Sequence, residues 1–195
     1  MQIERDEEAR LVKRSLNGDE AAFTTLYRLR HTAVYRFALH MSGSTTIAED
    51  VTQETFFTLL RDGRSFDPAR GPLQSFLAGI ARNHVLKALA KNRPQESDVL
   101  LDDYPAGDDG ALTELLRRES LDAIRDAVLR LPPQYREVVV FCDLEEMDYA
   151  AASAVLNVPV GTVRSRLSRG RRLLLNRLTK EENKEARTKS VRCLS

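Results

Sequence analysis

Residues 147–175, MDYAAASAVLNVPVGTVRSRLSRGRRLLL, constrain the fold more than any other stretch of this chain. In their second half, Val163, Leu167, Gly170 and Leu174 recur at i, i+4, i+7 and i+11. That is one face of a helix with about 3.6 residues per turn. The opposite face receives Arg164, Ser165, Ser168, Arg169 and Arg172. The first half is an alanine-rich helical segment with Tyr149, Ala152, Val155 and Leu156 expected inward, and its small residues let a second helix cross closely. Asp148 is a good N-cap for it. Asn157 can take the left-handed conformation that ends a helix. Pro159 suits the first turn of the next helix, where a missing N–H costs nothing. The segment therefore predicts a helix-turn-helix. An apolar inner face with a basic outer face is what a helix needs to enter a DNA major groove. Arginine can fork onto a guanine edge or grip a phosphate there. The arginines alone would suit a solvated amphipathic helix better than a DNA reader; the turn chemistry is what favours DNA.

Charge distribution supports that reading where net charge does not. The chain carries +1 overall. Yet residues 160–177 hold six arginines and no acid, while residues 95–116 hold Glu96, Asp98, Asp102, Asp103, Asp108, Asp109 and Glu114 with no base. Cys142 and Cys193 make no disulfide framework; Cys142 sits in an apolar helical run and reads as core. The histidines, at 31, 40 and 84, show no metal-ligand spacing, so no metal or cofactor is expected. No signal peptide and no membrane-length apolar run is visible, so a cytoplasmic protein without membrane insertion is expected.

β-Patterning is nearly absent, and an all-α fold of two small helical domains is expected. The N-terminal domain takes residues 1–93. A helical pair breaks near Asn17-Gly18-Asp19, with Asp19 as a cap, and helix continues to Ser42-Gly43-Ser44. Thr45 or Thr46 is expected to cap a helix over 47–61, with Ala48, Val51, Thr55 and Leu59 inward and Glu49, Asp50, Gln53 and Glu54 outward. A loop with Asp67-Pro68 and Gly71-Pro72 follows, then a helix from about Leu73 to Asn92. Residues 94–110 form an acidic, aperiodic linker expected to be flexible. The second domain takes 111–178, with a helix carrying Leu115, Leu121, Ile124 and Val128, a Leu131-Pro132-Pro133 break, a helix from Gln134 to Leu144, and the helix-turn-helix at its end. A charged tail, 179–195, is expected to fray.

Five segments in order carry a family resemblance: Asn17-Gly18-Asp19-Glu20-Ala21-Ala22-Phe23 with Leu26-Tyr27, Ala48 to Phe56, Ile80-Ala81-Arg82-Asn83, Leu131 to Val138, and Val158 to Leu167. Together they resemble the RNA polymerase sigma factors of the extracytoplasmic-function (ECF) group over roughly residues 8–178. The resemblance implies a transcription initiation factor, not an enzyme. Its N-terminal domain would bind the polymerase clamp and melt the −10 promoter element; its C-terminal domain would bind the polymerase flap and the −35 element.

For the −35 element the resemblance points to Arg164, Ser165, Ser168 and Arg169 at base edges, with Arg166, Arg171 and Arg172 on phosphates. For the −10 element it points to Asn83 and the loop Asp67–Gly71, including Arg70, as base readers. Phe76, standing where the family usually has tryptophan, is either a stacking wedge or plain core. Arg82, Lys87, Lys91 and Arg93 would follow the backbone. Glu49, Asp50, Gln53 and Glu54 would face core RNA polymerase, since acids are a poor surface for DNA. The linker would lie in the path of nascent RNA, although plain disorder explains its composition as well. An anti-sigma protein is a further implied partner. Two departures from the family stand out. Gly79 replaces a larger residue at about 1 kcal/mol of helix propensity, and Ala150-Ala151 replace glutamates at the start of the helix-turn-helix. A free-standing helix-turn-helix regulator is the alternative, to be told apart by specific DNA binding without polymerase. No Ser-His-Asp arrangement, metal cluster or phosphate loop supports an enzyme.

Overall fold

The computed structural model describes residues 2–91 and 121–192, with side chains over 6–91 and 121–179. The acidic linker 94–110, Arg93 and Leu115 lie outside the described residues. All regular structure among the described residues is helical.

The first half is α1 (Gln2–Leu16), α2 (Glu20–Ser42), α3 (Thr45–Asp62), a 3₁₀ turn (Gly63–Ser65) and α4 (Leu73–Lys91). Local chemistry sets each boundary. Asp19 caps α2 by accepting from the Ala22 N–H at 2.9 Å. Gly43, at φ 69°, ends α2 in the left-handed conformation, its N–H donating to Leu39 O. The cap of α3 is Ser44, which accepts from the Ile47 N–H at 3.3 Å. Thr45 and Thr46, the expected caps, already lie inside the helix. Ser44 is extended at ψ 123°, the backbone a capping side chain needs.

Helices α2, α3 and α4 close around Leu26, Met41, Ala48, Val51, Phe56, Leu59, Leu73, Leu77, Ala81 and Val85, all buried. Two buried threonines on α3 stay satisfied because Thr52 and Thr55 donate to the Ala48 and Val51 carbonyls one turn back. α1 is tied on by an ion pair between buried Glu8 and Arg30, whose guanidinium also reaches Gln74 on α4 at 3.4 Å.

The second half is α5 (residues 121–129), α6 (Pro133–Val139), α7 (Tyr149–Leu156) and α8 (Val160–Arg192). The helix expected over Gln134–Leu144 is in two parts: α6 widens into a π-helical turn over Val140–Leu144. The Glu145 N–H donates to Val140 O, the Met147 N–H to Phe141 O, and Glu146 takes a positive φ of 52°. This wide turn carries Phe141 to the first half while keeping the backbone bonded. α8 continues through residues 179–192, where fraying was expected. No glycine or proline interrupts the chain between Gly170 and Arg192.

The two halves share one core. Phe141 is fully buried and stacks on Phe37 of α2, with ring centroids 4.5 Å apart and planes 11° from parallel. Such a ring stabilises by about 1.5–3 kcal/mol when buried. Arg136 of α6 donates to the Met41 carbonyl at the end of α2 (2.7 Å) and to the Leu131 and Leu129 carbonyls of its own half. Leu129 of α5 fills the space beside Gly43, where a Cβ would come within 2.6 Å of its side chain.

Candidate nucleic-acid interface

The helix-turn-helix forms through the joints expected of it. Asp148 accepts from the Ala151 N–H at 2.8 Å, starting α7. Asn157, at φ 53°, ends it. The Ser153 hydroxyl donates to Val158 O at 2.6 Å, bracing the turn from within. Pro159 sits just ahead of α8, its carbonyl accepting from the Thr162 and Val163 N–H groups.

Which way α8 faces is decided by its inner side. Val163, Leu167 and Gly170 are buried. At Gly170 a Cβ would lie 2.8 Å from Val139 Cγ2 and 3.4 Å from the Tyr135 carbonyl oxygen. The missing side chain therefore lets α8 lie close against α6. With that face fixed, Arg164, Ser165, Ser168, Arg169 and Arg172 all project to solvent, and Arg166 is half-buried.

Several of these side chains have partners within the chain. The Arg164 guanidinium lies over the Tyr149 ring, 5.7 Å from its centroid. Tyr149 was expected inward; it is instead on the outer side of α7, where that contact forms. Arg169 hydrogen-bonds the Tyr135 side chain and, with Gln134, lowers its hydroxyl pKa. Arg171 makes a two-pronged bond to Asp143, Nε to Oδ2 at 3.0 Å and NH2 to Oδ1 at 2.6 Å. That hydrogen bond raises the pKa of Arg171 above its already high ordinary value. Arg171, an expected phosphate contact, thus anchors α8 to the wide turn in this structure.

In the first half, the residues expected at the −10 element divide in two. Asn83 and Lys87 are exposed on α4, and Asp67 and Arg70 are exposed on the preceding loop, where Asp67 Oδ1 accepts from the Ala69 N–H at 2.9 Å. Phe76 is half-buried and tilts against Phe66, centroids 5.3 Å apart. Arg82 is not free. Its Nε donates to Glu137 Oε1 at 2.9 Å and its NH2 to Oε2 at 3.2 Å, and Glu137 is buried on α6.

On α3, Glu49, Asp50, Gln53 and Glu54 are all exposed, as the helical period required. The same stripe runs on into Phe57, 55% exposed, and Leu60, 37% exposed. Those two were missed in the sequence reading. The signal was the pair Phe56-Phe57, since adjacent residues 100° apart on a helix cannot both enter the same core. Glu137, Glu145 and Arg36 were missed as well. Arg36 NH2 donates to Glu145 Oε2 at 2.8 Å, and burial pushes the Glu145 carboxyl up while the Arg36 hydrogen bond pulls it back. Among the described residues no group of three or more His, Cys, Asp and Glu could hold a metal, and no helix is long and apolar enough to cross a membrane.

A basic helix-turn-helix packed on a second helical domain is the architecture of a DNA-binding protein. The comparisons carry this further. The family model for Sigma-70 region 2 matches residues 26–95, and that for Sigma-70, region 4 matches residues 121–174. The chain is 35% identical over 178 residues to the ECF RNA polymerase sigma factor SigE of Mycolicibacterium smegmatis, a match covering 88% of this chain and 68% of that protein. It is 31% identical over 180 residues to SigW of Bacillus subtilis, covering 86% and 94%. In fold it is similar to the sigma factor RpoE of Bartonella quintana, solved in complex with the anti-sigma factor NepR, with a TM-score of 0.65 at 24% identity over 80% of this chain and 96% of that one. The chain belongs to the ECF RNA polymerase sigma factors.

Proposed function

We propose that this chain directs bacterial core RNA polymerase to its promoters by reading the −35 element with α8 and the −10 element with α4 and the loop before it. As an ECF sigma factor it acts in transcription initiation. The observation that carries the residue-level reading is the orientation of α8: Val163, Leu167 and Gly170 are buried while Arg164, Ser165, Ser168, Arg169 and Arg172 project together from the other side. Arg164, Ser165, Ser168 and Arg169 read base edges, and Arg166 and Arg172 hold phosphates. Arg171 reaches phosphate only by leaving Asp143. Asp67, Arg70, Asn83 and Lys87 meet the −10 strand, and Phe76, half-buried beside Phe66, supports an unstacked base.

Core polymerase is met by Glu49, Asp50, Gln53 and Glu54 together with Phe57 and Leu60. An acidic stripe with an apolar end suits a basic protein surface and not a polyanion. An anti-sigma protein is a further partner, in keeping with the complex solved for the Bartonella relative. The protein works in the cytoplasm, where polymerase and promoters are.

The test is in vitro transcription with sigma-free bacterial core polymerase on a pool of fragments from the source genome. Discrete transcripts that depend on this chain are expected. No transcripts, together with no co-migration with core polymerase and specific DNA binding by the chain alone, would overturn the reading in favour of a free-standing regulator.

A further inference from the structure

Tyr149 is an aromatic residue outside the core that its helical phase points to. It opens α7, just after the Asp148 cap. Ala152 and Leu156, three and seven residues on, share that phase and are 0% and 5% exposed. Tyr149 is 37% exposed. Its ring is covered instead by the Arg164 guanidinium, near the start of α8, 5.7 Å from the ring centroid. Helices α7 and α8 pack directly on each other, so the ring stands beside the exposed basic face of α8.

How each arginine of α8 is held decides what it can still do. Arg171 gives Nε and NH2 to the two Asp143 oxygens, so its fork is occupied. Arg169 shares a hydrogen bond with the Tyr135 side chain. A ring contact works differently. The face of an aromatic ring attracts the guanidinium charge and takes up no N–H donor. Among the described residues Arg164 makes no hydrogen bond, so its fork stays available for two acceptors on a base edge. A long side chain that is already confined also loses less freedom on binding. Two acceptors at once demand a fixed fork, which is what confinement supplies. A carboxylate partner therefore suits an anchor, and a ring face suits a reader.

We propose that Tyr149 is a positioning residue for promoter reading: the face of its ring holds Arg164 over one base pair of the −35 element and so sets selectivity at that pair. The inference rests on the reading of Arg164 given above and deepens it. The ring face carries the effect and the hydroxyl does not. Without the ring, Arg164 is present but unconfined, and preference for the correct base falls about two- to fivefold at that pair, the scale of an exposed cation–ring contact. Other base pairs keep their preference, because the residues that meet them do not touch the ring.

The experiment assembles the full chain with sigma-free bacterial core polymerase and offers it a promoter fragment, recovered from the transcription test, with its −35 segment randomised. Sequencing the bound fraction gives the base preference at each position, and circular dichroism gives the Tm of each variant. Arg164→Ala is expected to flatten one position. Tyr149→Leu is expected to weaken the preference at that same position about two- to fivefold and to leave the others alone. Tyr149→Phe, which keeps the ring, is expected to keep the preference. Tyr149→Leu combined with Arg164→Ala should be no less selective than Arg164→Ala by itself, since nothing is left to position. A merely structural Tyr149 would instead lower the Tm and blunt every position together. That result, full selectivity in Tyr149→Leu, or weaker binding by Tyr149→Phe, which would mark the hydroxyl as a DNA contact, would each overturn the proposal. The Phe variant keeps the ring in place and so tests the claim even where Leu disturbs the start of α7. Failure of the underlying reading looks different: Arg164→Ala leaves selectivity unchanged at every position, or no fragment is bound, and the proposal then falls with it.

Discussion

The sharpest check on the packing that aims α8 is a pair of identical substitutions at two helical glycines. Glycine inside a helix costs about 1 kcal/mol relative to alanine, so Gly79→Ala and Gly170→Ala begin with the same gain. Their surroundings differ. A Cβ at Gly79 meets nothing within 4 Å. At Gly170 it meets Val139 Cγ2 at 2.8 Å and the Tyr135 carbonyl oxygen at 3.4 Å. Carbon pairs prefer about 3.5–4.0 Å. Val139 cannot yield readily, because it is fully buried and its branched side chain has one strongly preferred rotamer in a helix. Relief requires α6 and α8 to move apart, and overpacking of that kind costs about 1–3 kcal/mol.

Gly79→Ala should therefore stabilise by about 1 kcal/mol. Gly170→Ala should range from near neutral to about 2 kcal/mol destabilising once its helix gain is subtracted. The difference between the variants isolates the clash. In a chain of this size 1 kcal/mol moves the Tm by about 2–4 °C, so the two melting temperatures should differ by roughly 2–12 °C. Thermal unfolding followed by circular dichroism, with a urea titration to show that the m-value is unchanged, reads it directly. Equal melting temperatures, or a Gly170→Ala variant as stable as Gly79→Ala, would refute the claim that the missing side chain sets how closely α8 approaches α6.

Further outcomes follow from the same geometry. Arg164→Ala should cost about 1–3 kcal/mol in −35 binding and relax selectivity at one base position, whereas Arg172→Ala should weaken all sequences alike and lower the salt slope by about one, as measured by fluorescence anisotropy on promoter duplexes. Phe57→Ala should weaken core polymerase binding about tenfold, the scale of a buried interface anchor, with no loss in Tm because Phe57 is exposed in the free chain. His40 has its pKa lowered to about 4, first by burial and then by Arg125 and Arg36. The folded chain thus holds it neutral while the unfolded chain protonates it, and stability is complete above about pH 6.5 and falls as pH drops toward 4. His40→Gln should remove up to about 3 kcal/mol of that fall. The comparison with the unaltered protein matters because Glu145, with its raised pKa, contributes a slope of the opposite sign.

What could be read in the sequence is what a single helix decides by itself. The period of Val163, Leu167 and Gly170 fixed the face of α8, and Asp19, Asp148, Asn157 and Gly43 marked helix ends, because caps and left-handed residues act over three or four positions. The misreadings sit where two local solutions compete or where a distant group intervenes. Ser44 outcompetes Thr45 and Thr46 as a cap for one helix start. Tyr149 has an inward helical phase, yet Arg164 offers its ring a contact on the outside.

Glu137 shows the limit best. A carboxylate directly before Val138 and Val139, at the end of the helix that goes inside, breaks the apolar pattern and so announces a buried cation. The adjacent arginine is the wrong one: Arg136 spends its donors on the Met41, Leu129 and Leu131 carbonyls. The right one is Arg82, which the family pattern assigns to DNA. Local periodicity can therefore flag the need for a partner but cannot choose it, since the choice depends on how two domains dock. That same dependence gives the pair its sensitivity: a contact specified only by docking is the contact that reports when docking is lost.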